Sequence, residues 1–174
     1  MKKFGLEFTS FVRTLMSQNV KLTIDLLGKS VDSSLYRSII GSLLYVITSR
    51  PNISYSVGVC ARYQANPKES HMIALKRIIK YVKTTTNFGV WYSKDTNDVL
   101  VRYSNADWAG NADDRNSTSG GCFYVGNNLV SWMSKKQNSI SLSTAKAEYV
   151  AATPNFYGCK NSLIMVFIKN IVEV

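Results

Sequence analysis

The spacing of apolar positions changes partway along the chain. Over residues 35–47 the side chains Ile39, Ile40, Leu43, Leu44 and Ile47 recur at helical spacing, which predicts a core helix. Gly28, Asp32, Ser33 and Ser34 ahead of it read as a linker ending in a helix cap, and Gly41 with Ser42 would let a neighbour approach closely. The Arg50-Pro51 step ends this helix, and Pro51 suits the first turn of a second one running to about Tyr63. The third helix has the clearest signals, with Asn66 as the expected cap, Pro67 at its first position and Glu69 completing a variant capping box. Met72, Leu75, Ile78, Ile79 and Val82 form its apolar stripe.

Beyond Thr84 the helical period is lost. Residues 88–92 read as a short β-type run and residues 95–98 as a turn. Strands are expected at 99–107, 121–125 and 129–134, with a tight turn at Gly126-Asn127-Asn128 and a helix from near Ser143. A three-stranded antiparallel meander followed by a helix is an α+β arrangement without its ending. The expected division is an N-terminal segment and linker (1–34), a helical region (35–94) and the α+β unit (95–174).

The composition permits a packed core, since 45% of the 174 residues are hydrophobic and only 18% charged. The net charge of +10 adds a polarity along the chain. Residues 1–94 hold 14 basic side chains against four acidic ones (Glu7, Asp25, Asp32, Glu69), whereas residues 95–174 hold seven of each. A basic half points to a polyanionic partner. Lys76, Arg77, Lys80 and Lys83 cluster on one face of the third helix, and no acidic residue on that helix is placed to pair with the four. Two readings stay open for them: a solvated charged face, or a stripe that contacts phosphates.

Other chemistry is constrained by what the chain lacks. Cys60, Cys122 and Cys159 are far apart, and His71 is the single histidine, so neither a zinc site nor a disulfide framework is indicated. Glu7 and Arg13 interrupt any signal-peptide core, and the longest apolar run, 163–168, is too short to span a bilayer. An intracellular location is the default expectation, with secretion as the alternative.

Several ordered blocks carry a family resemblance. They are Tyr36-Arg37-Ser38-Ile39-Ile40-Gly41-Ser42-Leu43-Leu44-Tyr45, Thr48-Ser49-Arg50-Pro51-Asn52-Ile53, Tyr103-Ser104-Asn105-Ala106-Asp107-Trp108-Ala109-Gly110 and Asp114-Arg115-Asn116-Ser117-Thr118-Ser119-Gly120. Val130-Ser131-Trp132-Met133-Ser134-Lys135-Lys136-Gln137 and Leu142-Ser143-Thr144-Ala145-Lys146-Ala147-Glu148-Tyr149 complete the set. Together they resemble copia-type retrotransposon Pol polyproteins, at the passage from the reverse transcriptase C-terminal region into the ribonuclease H domain. The resemblance implies a reverse transcriptase connection-like helical region followed by an incomplete ribonuclease H-like unit. The polymerase Tyr-x-Asp-Asp motif is absent from this chain, so the activity left to consider is hydrolysis of RNA in an RNA–DNA hybrid.

That hydrolysis uses two divalent ions held by a cluster of carboxylates. By the resemblance the first carboxylate position is Asn105, which brings no negative charge, and the second is Glu148. Asp107, two residues on and on the same strand face, is a weak substitute or simply a loop-entry cap. The two remaining family carboxylates find no counterpart before Val174; Asp113 and Asp114 belong to the loop motif and Glu173 to the tail. Lys146 stands where the family commonly has Glu, which removes the reciprocal cap of the last helix. Pro154 is expected to kink or end that helix.

The expectation is therefore a relict or domesticated retroelement fragment without nuclease activity, a pseudoenzyme with residual non-specific binding to an RNA–DNA hybrid or duplex. No cofactor is expected, with Mg or Mn required only if the nuclease site works. The alternatives are a secreted effector or other protein-interaction role through the apolar residues Leu163, Ile164, Met165, Val166, Phe167, Ile168, Ile171 and Val172, or a nuclease completed by another chain. Trp91, Tyr92, Trp108 and Trp132 can stack on bases, and core packing is the expected role of most of them.

Overall fold

The computed structural model describes residues 12–16 and 21–153. Pro154, the apolar residues from Leu163 to Val172, Cys159 and the Glu7 region fall outside these. The architecture is α+β, with four helices and one three-stranded antiparallel sheet among the described residues. The chain divides into two compact units, Met1–Gly89 with Asn111–Asp113, and Val90–Gly110 with Asp114–Val174.

In the first unit, α1 (Ser33–Ile47) starts where the sequence signals place it. The Asp32 carboxylate accepts the Ser34 N–H at 2.8 Å and caps the helix. Gly41 differs from expectation: it is exposed, with nothing in the space a side chain would occupy among the described residues. Pro51–Ile53 forms a 3-10 turn, and α2 (Ser54–Ala61) follows. The third helix, α3 (Glu69–Thr84), begins two residues later than the Asn66-Pro67 signal implies. His71 replaces the expected cap, its Nδ1 accepting the Lys68 N–H at 3.0 Å. Pro67 is instead buried, and its carbonyl accepts the Val31 N–H at 3.1 Å.

Tyr36, Ile39, Ile40, Leu43, Ile53, Val57, Met72, Leu75, Ile78 and Ile79 interlock as the core of this unit. Each large aliphatic contributes about 1.5–3 kcal/mol through burial. Tyr36 carries a polar handle into that core and donates to the Cys60 carbonyl at 2.8 Å. His71 is fully buried, stacked on Tyr63 with ring centroids 4.2 Å apart. Because its Nδ1 accepts, its Nε2 carries the proton and donates to the Thr23 carbonyl at 2.6 Å. Tyr63 in turn donates to Leu22 O and to the Asp113 carboxylate, each at 2.9 Å. The segment before α1 is thus held down at the start of α3.

In the second unit, β1 (Leu100–Asp107), β2 (Thr118–Val125) and β3 (Asn128–Lys136) form the meander in the order β1-β2-β3. Gly126 opens the two-residue hairpin with φ of +54°, a conformation that favours glycine at the first loop position. Residues 88–92 do not form the expected strand. Their continuation is held from the side, with Ser93 exchanging two hydrogen bonds with the Asn128 amide at 2.7 and 2.9 Å. Trp91 is 86% exposed, and Tyr92 and Trp108 are about half exposed, so core packing is not the role of these three.

The last helix, α4 (Thr144–Ala152), keeps half of its cap: Ser143 Oγ accepts the Lys146 N–H at 3.2 Å despite the missing glutamate. Ala147 and Ala151 are buried, allowing close approach to β1 and β2. Arg102 on β1 donates to the Ala151 carbonyl at 3.1 Å while its guanidinium lies over the Phe123 ring. Between sheet and helix sits Gln137, also buried. Its amide donates to Ser119 Oγ at 3.0 Å and to the Ala147 carbonyl at 2.9 Å, and accepts from Ser141 Oγ at 3.1 Å.

Two outcomes are expected. Gln137→Ala removes all three side-chain bonds and should cost about 2–4 kcal/mol in urea unfolding. Gln137→Glu turns an acceptor toward the Ala147 carbonyl and should cost more; a loss below about 0.5 kcal/mol in both variants would contradict this role. In the first unit, burial pushes the Cys60 thiol up from 9.0 to about 12. Burial first, and then the neighbouring Cys60, also raises the Tyr36 phenol. The folded state therefore holds both protons more tightly, so its stability is intact below pH 9 and falls as the pH climbs from about 9 toward 12. Far-UV circular dichroism across that window should show alkaline loss of helix, with a later onset in Cys60→Ala.

Candidate functional site

Strand β1 and helix α4 bring the candidate carboxylate positions together. Asn105 stands opposite Gly120 in the β1–β2 register. A side chain on Gly120 would collide with the Asn105 amide oxygen, so the glycine leaves room for residue 105 to lie across the neighbouring strand. Asp107, two residues further along the same strand, faces Thr118 in the register and accepts the Thr118 N–H. Its carboxylate also fills the space above Gly110.

Glu148 reaches the strand from α4. Its Oε1 accepts the Ala106 N–H at 3.0 Å, which places the carboxylate at the residue between Asn105 and Asp107. The site therefore gathers one neutral amide and two carboxylates, each carboxylate accepting a backbone N–H. Among the described residues no three His, Cys, Asp or Glu side chains form a group that could hold a metal ion. Asp114, from the loop motif, pairs with Lys136 and accepts the Asn116 N–H at 3.1 Å.

The basic positions fall on α3 as the periodicity predicts, but they are not equivalent. Lys76 is exposed, while Arg77, Lys80 and Lys83 are half-buried. Arg77 donates from Nε to the Thr14 carbonyl at 3.0 Å and from its terminal nitrogen to the Thr14 hydroxyl. Thr84 adds a bond to the Val12 carbonyl at 3.1 Å. One of the four candidate phosphate contacts thus holds the chain's own residues 12–16. Sequence reasoning missed this, since no periodic signal marks Thr14.

Gln137 and His71 were also missed as organising residues. Gln137 closes one of the motif blocks, which is the available signal, whereas nothing in the local pattern around His71 marks its role.

No family profile and no solved structure matches the chain. Among curated proteins, a retrovirus-related Pol polyprotein from transposon RE1 of Arabidopsis thaliana is 42% identical over 138 residues, covering 79% of this chain and 9% of that protein. The Pol polyprotein from transposon TNT 1-94 of Nicotiana tabacum is 33% identical over 160 residues, covering 88% of this chain and 12% of that protein. A secreted RxLR effector protein, number 161, of Plasmopara viticola is 38% identical over 117 residues, covering 67% of this chain and 82% of that protein. The chain spans about a tenth of the length of the Pol polyproteins it matches. With the motif blocks carried on the helices, the meander and α4, this similarity establishes that the chain belongs to the family of copia-type retrovirus-related Pol polyproteins.

Proposed function

We propose that the chain is a retroelement-derived fragment without nuclease activity that retains sequence-indifferent binding to nucleic acid through its basic first unit. The observation that carries this reading is the donor set on β1 and α4. Two-ion hydrolysis needs several anionic oxygens free to face hard cations. Asn105 supplies a neutral oxygen where the family resemblance calls for a carboxylate, and Asp107 and Glu148 each accept a backbone N–H. These described residues do not fit a pair of Mg or Mn ions, and no catalytic step is assigned to them.

Binding is supported by charge rather than by a pocket. All of the +10 net charge is carried by residues 1–94. Lys76, Lys80 and Lys83 follow one side of α3 at steps of four and three residues, about 10 Å in all, a length that meets two or three phosphates.

A second reading is favoured by one relative. The secreted effector protein is 38% identical over 117 residues, and this chain covers 82% of it, so a recruited role outside the producing cell is the alternative. Fractionation of producing cells separates the two: recovery in the extracellular fraction supports recruitment, and confinement to the cells counts against it.

Two assays test the main reading. Incubated with an RNA–DNA hybrid and Mg or Mn, the chain should release no more product than a protein-free control; metal-dependent cleavage abolished by Glu148→Gln would overturn it. Hybrid and duplex binding should weaken with salt at a log–log slope of about −2 to −3. Replacing Lys76, Lys80 and Lys83 with Ala should flatten that slope toward zero while leaving the Arg77–Thr14 contact in place. Replacing Arg77 as well should add little to the slope.

A further inference from the structure

A groove of about 500 Å³ opens in the first unit where α1 and α3 end, lined by Ser49, Arg50, Pro51, Asn52, Asn87 and Phe88. The backbone there is closed off by its own contacts. Arg50 donates to Thr85 Oγ1 and to the Thr86 carbonyl, both at 3.2 Å, and Asn52 Nδ2 donates to the Tyr81 hydroxyl at 2.9 Å. Arg50 thus offsets the partial negative charge at two helix C-termini. What stays open is the rim. Phe88 is 61% exposed, an aromatic ring with no core to fill, and it lines the groove together with the Pro51 ring. The amides of Asn52 and Asn87 and the Ser49 hydroxyl supply donors and acceptors around them.

A phosphate is poorly suited to this place, because helix C-termini repel anions and Arg50 is already engaged. A flat, uncharged, hydrogen-bonding ring fits its chemistry. We propose that this groove captures an unstacked nucleobase of single-stranded nucleic acid, the base stacking on Phe88 and its edge meeting Asn87 and Ser49. The proposal rests on the nucleic-acid-binding reading above and deepens it. The positive field of the first unit gathers the polyanion without regard to strandedness, while the groove favours strands whose bases are free. Stacking on an aromatic is tolerant of base identity, so a preference for single strands rather than for a sequence follows.

The test compares fluorescence anisotropy of a labelled 12-nucleotide single strand, the same sequence as a duplex, and a strand of equal length with an abasic tract. Phe88→Ala, at an exposed site outside the core, should weaken single-strand binding by about tenfold and leave duplex and abasic binding unchanged. Asn87→Ala should give a smaller loss with the same selectivity. If Phe88→Ala leaves single-strand affinity unchanged, or weakens all three ligands equally, the groove is not a base site. If the unaltered chain binds none of the three in a salt-dependent way, the parent reading itself fails, which is a separate result.

Discussion

The arrangement of the second unit depends on the hydrogen bonds of one buried amide. Gln137 sits just past the end of β3, where an unpaired polar side chain would be costly, and it resolves this by bonding in three directions. One bond fixes β2 at Ser119, one fixes the loop at Ser141, and one fixes α4 at Ala147. The helix carries small residues on its buried face, so van der Waals contact alone would allow it to slide along the sheet. A directional bond to the Ala147 carbonyl sets its register. Glu148 is the next residue, and its meeting with Ala106 on β1 follows from that register.

The first unit solves a comparable problem with an imidazole. Residues 21–31 contain no helix or strand of their own, yet they lie against the start of α3. His71 uses both ring nitrogens, one for the Lys68 N–H that starts the helix and one for the Thr23 carbonyl. Lys29 and Ser30 pair with Lys68 and Glu69 next to it. A single side chain therefore caps a helix and ties a connecting segment to it, and Tyr63 stacked on its face completes the joint.

The sequence made some of this legible and hid the rest for physical reasons. Helix α1, the apolar stripe of α3 and the Gly126 hairpin were readable because periodicity and local turn chemistry are short-range properties. The start of α3 was misplaced because Asn66-Pro67 is a good local signal that loses to a longer-range one. The Pro67 carbonyl is engaged by the Val31 N–H, and the cap passes to His71. Residues 88–92 have strand-like composition, but among the described residues no strand pairs with them. The association of Asn105, Asp107 and Glu148 was available only through the family pattern, since 40 residues of chain lie between Asp107 and Glu148. The claim of Thr14 on Arg77 was not available at all. A guanidinium can satisfy itself with any nearby carbonyl, and which one depends on the tertiary path.

The Ala106 N–H on β1 is closed by the Glu148 carboxylate. A carboxylate that closes an otherwise open strand N–H contributes to folding whether or not any ion is ever bound. Its loss would then be penalised through stability, and drift at this position would be slow even after the chemistry has gone. Asn105 differs in lying over Gly120 on the neighbouring strand rather than bridging from helix to sheet. Glu148 is therefore held by packing as well as by any chemistry, and its presence alone does not report on catalysis.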